Sequence, residues 1–143
     1  GIMAVKSSGL LGLVSMLMPV IAGGNSCVII ASEDKPLCAV TLAEVLNSSD
    51  VPGGVVNILT GHMDELWSPL SSHMDVNGIS TDGRNKYITK VQLASVDNLK
   101  RVRVYSNDFS LMQEQGIQFI TDFQELKTTW HPIEKIGGAS NSY

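Results

Sequence analysis

Apolar runs of strand length alternate along this chain with blocks of helix length. Residues 1–5 form a short apolar run that predicts a strand. Residues 10–22 are an apolar block of helix length, and Gly23-Gly24-Asn25 is a strong stop behind it. Residues 27–31 are a β-branched, apolar run, the pattern of a parallel strand covered on both faces. Pro36 and the acids just before it suit a helix N-terminus. The helix expected over 36–47 places Leu37, Val40, Thr41, Ala43, Glu44 and Leu46 on a 3.6-residue period. A Pro/Gly turn at 48–54 leads into a further apolar strand at 55–59. A helix over 64–72, a short strand over 76–81, a helix-compatible stretch over 84–99 and a strand over 102–105 complete the series. Strands alternating with helices predict a three-layer α/β domain with a mostly parallel sheet.

Beyond Tyr105 the pattern loosens. Residues 109–126 have a helical tendency interrupted at Gly116, 127–133 read as extended, and 137–142 as a flexible polar end. The expected organisation is one domain over 1–106, an extension over 107–136 that packs on it or on a partner, and a loose tail over 137–143. Trp130 is the natural anchor of that extension, with His131 beside it as a docking contact. The opening Gly1-Ile2-Met3-Ala4-Val5 reads as a chain entering mid-domain, which raises the prospect of a fragment.

Length and composition narrow the class. A chain of 143 residues, 43% hydrophobic and 17% charged, suits one globular core. A net charge of −4 with scattered cations argues against nucleic acid as a partner. Only Lys100, Arg101 and Arg103 cluster, and the two arginines are expected on a solvated strand face. The apolar stretch 9–24 is too short to span a bilayer and is broken by Gly12 and Pro19, which predicts a buried helix and no membrane span. Without a signal-peptide pattern the expected location is intracellular, the cytoplasm first and the mitochondrion as the alternative. Cys27 and Cys38 lack metal-ligand spacing and are expected to be reduced, buried packing residues. His62 and His73 are expected at the surface, and no metal site is expected.

Four motifs in fixed order then carry a resemblance: Pro19-Val-Ile-Ala-Gly-Gly-Asn25, Ser32-Glu33 with Pro36-Leu37, Val51-Pro-Gly-Gly-Val-Val-Asn57-Ile-Leu-Thr-Gly61, and Ser72-His73-Met74-Asp75-Val76. Over residues 1–105 the chain resembles the cofactor-binding, Rossmann-like domain of the aldehyde dehydrogenase superfamily. Val40-Thr-Leu-Ala-Glu-Val-Leu46, Asn98-Leu-Lys-Arg-Val102 and Lys127-Thr-Thr-Trp-His-Pro-Ile133 are similar to the degenerate second dehydrogenase-like region of the family-16 members.

The resemblance also identifies departures. Ser7 stands where active relatives carry an oxyanion-stabilising Asn, and losing one such donor typically costs about 10²–10³ in rate. Tyr105 stands at the glutamate general base, and a phenol with a pKa of about 10 is a poor base at neutral pH. The family's nucleophilic cysteine has no counterpart after Tyr105. Glu33 matches an acid on the adenosine ribose, whereas Ile30 replaces its lysine partner. The family's Phe-Thr-Gly-Ser turn reads Thr81-Asp82-Gly83-Arg84, which sets the Asp82 charge near the phosphates unless Arg84 offsets it. The cofactor positions Glu33, Ile30, Gly83 and Arg84 therefore read as vestigial, and Glu33 equally suits a helix N-terminus. These losses imply a pseudoenzyme with a structural or protein-interaction role, docking with a protein partner or with copies of itself. No cofactor is then required, and binding of NAD or NADP is the less expected outcome. The alternatives are a dinucleotide-binding regulatory module and a fragment of a larger aldehyde dehydrogenase. No sign of the family's β-hairpin association arm is present.

Overall fold

The computed structural model describes residues 1–4, 6 and 8–131. Ser7, Pro132, Ile133 and the polar end at 137–142 thus lie outside the described residues. Five strands form one parallel sheet in the spatial order β3-β2-β1-β4-β5: β1 Ile2–Met3, β2 Cys27–Ile30, β3 Val56–Leu59, β4 Gly78–Asp82 and β5 Arg101–Tyr105. Helices α1 Leu11–Ala22, α2 Pro36–Asn47, α3 Met63–Ser72 and α4 Ile88–Ala94 connect them, and a single-turn α5, Gln118–Thr121, follows.

The short β1 is the centre of the sheet. Ile2 pairs with Ile29 and Ser80, and Met3 with Ile30 and Thr81. Strand alternation sends Ile2 and Ala4 into one core and Met3 into the other. The first core joins Cys27 and Ile29 to Leu13, Met16, Leu17 and Val20 of α1 and Ala39 of α2. The second joins Ile30 and Ile79 to Leu70 of α3 and to Tyr87 and Val91 near and on α4. Helices on both faces of a parallel sheet give the expected three-layer α/β fold. At the edge, β3 alternates half-buried Val56 and Ile58 with exposed Asn57 and Leu59, because one of its faces is uncovered.

Helix α2 departs from its expected face. Ala39 is fully buried with Leu42 and Leu46 beside it, while Leu37 and Val40 are exposed. The small Ala39 side chain allows close approach to the sheet, which turns its neighbours outward. The same rotation corrects the cysteine expectation: Cys27 is buried, but Cys38, one residue before Ala39, is exposed. Helix α4 is shorter than its pattern. The Asn85 side-chain carbonyl accepts the Tyr87 amide at 2.9 Å before the helix, and Leu99, with φ of 54°, turns the chain into β5 after it.

The segment after β5 folds back on the domain. Its three phenylalanines, Phe109, Phe119 and Phe123, are buried in the first core. Phe119 meets Tyr105 and Phe109 edge-on, with centroids 4.8 and 5.6 Å apart. Arg101 donates to the Gln124 carbonyl at 2.7 Å, and Arg103 pairs with Asp122 at 3.2 Å. The arginines expected on a solvated face therefore hold the extension against the strand. Its helical tendency reduces to a 3-10 turn, Met112–Glu114, and α5, separated by Gly116. Trp130 is 89% exposed. Among the described residues no helix is long and apolar enough to cross a membrane.

Candidate functional site

The chain builds the sheet outward from β1 to β3, then returns to lay β4 on the other side of β1. In open α/β sheets this reversal leaves a crevice at the carboxyl ends of the strands, where ligands bind. A cleft of about 460 Å³ lies here, walled by Ala4 and Lys6 after β1, Glu33 and Asp34 after β2, and Asp82 and Arg84 at the end of β4. Met63 and Asp64 of α3 and Asn85, Lys86 and Tyr87 before α4 close its far side.

Glu33 is held in the cleft through both carboxylate oxygens. His62 Nδ1 lies 3.2 Å from its Oε1, and the Met63 amide at the start of α3 donates to its Oε2 at 3.4 Å. These hydrogen bonds, His62's first, hold its carboxyl below the usual carboxylate range, and the nearby Lys6 ammonium acts in the same direction. Lys6 Nζ is 3.8 Å from both Glu33 and Asp34. Across the cleft the Arg84 Nε–H points at both Asp82 oxygens, at 3.2 and 3.1 Å. Asn85 donates to the Thr81 hydroxyl at 2.9 Å, which fixes the turn after β4. Trp67 and Tyr87 stack with centroids 5.2 Å apart, the Tyr87 hydroxyl donates to Asp64, and Lys86 pairs with Asp64 at 3.0 Å.

The fold thus brings Glu33 and Arg84 into one cleft and leaves Ile30 out of it. Ile30 is wholly buried in the second core. Gly83 donates its amide to the Tyr105 carbonyl at 2.8 Å, and a Cβ there would run into the Ser106 hydroxyl. Tyr105 sits against α5, donating its hydroxyl to Asp122 at 2.8 Å. Burial first, then that carboxylate, pushes its phenol well above the ordinary tyrosine value. Ser7 lies outside the described residues. Sequence reasoning missed Lys6, Asp64, Asn85, Lys86 and Tyr87, and it left His62 as a plain surface residue. The one legible clue was a charged residue directly after the first strand, at the end where such sheets bind ligands.

A family model described as the aldehyde dehydrogenase family matches residues 9–105. The chain belongs to that family. It is 38% identical over 89 residues to the NADP/NAD-dependent aldehyde dehydrogenase PuuC of Escherichia coli, a match covering 60% of this chain and 18% of the relative. PnpE from Pseudomonas sp. WBC-3, solved with nicotinamide adenine dinucleotide, shares 32% identity at a TM-score of 0.64, covering 72% of this chain and 21% of PnpE. A mutant of the aldehyde dehydrogenase AldC from Pseudomonas syringae, solved with NAD+ and octanal, shares 28% identity at a TM-score of 0.68 over the same shares. The chain therefore spans about a fifth of the length of these relatives.

The family's solved members correct the expectation that no cofactor is required and that NAD or NADP is the less expected ligand. Two relatives sharing this fold hold the dinucleotide. The expectation rested on Ile30 and Asp82 as losses. Ile30 removes one donor only. Asp82, counted there as an uncompensated charge, is ion-paired with Arg84 at 3.1 Å.

Proposed function

We propose that this chain is the dinucleotide-holding part of an aldehyde-dehydrogenase-like protein, and that it binds NAD(P) in the cleft at the ends of β1, β2 and β4. The observation that carries the reading is Glu33, ionised and held on the cleft wall by His62 and Met63, where its carboxylate is poised to accept ribose hydroxyls. On the opposite wall Arg84, paired with Asp82, offsets that acid's charge where phosphates would lie. The test is calorimetric titration of the full chain with NAD and NADP: saturable micromolar binding supports the reading, and no heat at millimolar ligand overturns it.

A second part of the proposal concerns chemistry. Tyr105 at the base position is held neutral and committed to Asp122, which favours a copy that holds cofactor without abstracting a proton. A dehydrogenase assay with a panel of aldehydes tests this, and turnover by the pure chain would refute it. The finer likeness to the family-16 second region, a role in docking to a protein partner or a second copy, and the boundary near 106 belong to this proposal. So does a cytoplasmic or mitochondrial location.

A further inference from the structure

We propose that Lys6 is the cation that lets this cleft accept a 2′-phosphorylated dinucleotide, so that Lys6 sets the balance between NADP and NAD. The inference rests on the dinucleotide reading above. Three cations line the cleft among the described residues, and two are held at hydrogen-bonding distance by a carboxylate. Arg84 is hydrogen-bonded to both oxygens of Asp82, and Lys86 is 3.0 Å from Asp64. Lys6 makes no side-chain hydrogen bond among the described residues, its side chain is 64% exposed, and its ammonium stands 3.8 Å from each of Glu33 and Asp34.

Position and charge together give Lys6 its role. A ribose held by Glu33 places its 2′ substituent beside two carboxylates. A hydroxyl is accepted there, whereas a phosphate dianion is repelled unless a cation stands next to it. Lys6 is that cation, and it is held in place from below. Ser32, only 2% exposed, donates its hydroxyl to the Lys6 carbonyl and accepts the Lys35 amide, tying the loop after β1 to the loop that carries Glu33. Lys6 and Glu33 thus face each other as a pair set by the backbone. Removing one unit charge at this range from a dianion near the protein surface changes its affinity by about tenfold or more.

The experiment is a set of titrations of the full chain and its Lys6→Met and Lys6→Arg variants with NAD and with NADP. Lys6→Met is expected to weaken NADP by about tenfold and NAD by less than about threefold, while Lys6→Arg retains NADP. The exposed position leaves the thermal melt of both variants at that of the parent. NADP affinity unchanged in Lys6→Met, or an equal fall for both dinucleotides, overturns the assignment and leaves the cleft reading standing. Failure of the parent chain to bind either dinucleotide overturns the cleft reading, and Lys6 with it.

Discussion

Replacing Phe119 by Ala tests whether the segment after β5 is an integral part of the domain. The ring is 6% exposed and meets Tyr105 and Phe109 edge-on at 4.8 and 5.6 Å. Truncating a buried Phe costs about 3–5 kcal/mol, the edge-on pairs contributing about a third. Helix α5 is a single turn on the outside of α1, so the site can partly collapse and the low end, about 3 kcal/mol, is expected. Against a total stability of about 5–15 kcal/mol that loss is large. With a urea slope of about 2 kcal/mol per molar, the midpoint falls by about 1.5 M. Far-ultraviolet circular dichroism through a urea series reads it. A loss under about 1 kcal/mol would show that the segment lies loosely on the core, and the packing argument would fail.

Two further outcomes follow. Burial and Asp122 raise the Tyr105 phenol above its unfolded value of about 10. The neutral folded form is therefore stabilised below about pH 10, and that contribution is lost as pH rises above it. Tyr105→Phe should flatten the alkaline fall in urea midpoint, and an identical fall in parent and variant would contradict this. Arg84→Gln leaves the Asp82 charge facing the phosphates uncompensated, so NAD binding by calorimetry should weaken about tenfold; unchanged affinity would show that the pair plays no part.

The strands and first helices were legible because apolar runs mark them without regard to partners. The inward face of α2 was not: periodicity counts Leu37 and Val40 as core candidates, and only contact with the sheet selects Ala39. Of the cleft, Glu33 was legible from its motif. Lys6, Asp64 and Tyr87 come from separate connections and meet only through the strand order, which local pattern does not state. Whether Arg84 offsets Asp82, two residues away, stays open in the sequence because a turn's side-chain directions are invisible there. Phe109, Phe119 and Phe123 follow no period, so the extension's attachment to the core stayed open between domain and partner.

The most direct test of the cleft is amide-shift mapping of the isotope-labelled chain during titration with NAD. Saturating shifts centred on Lys6, Glu33, Asp64, Arg84 and Asn85 are the expected result. Shifts confined to Asn98–Arg103 at the opposite end of the sheet, or none at millimolar NAD, would contradict the account.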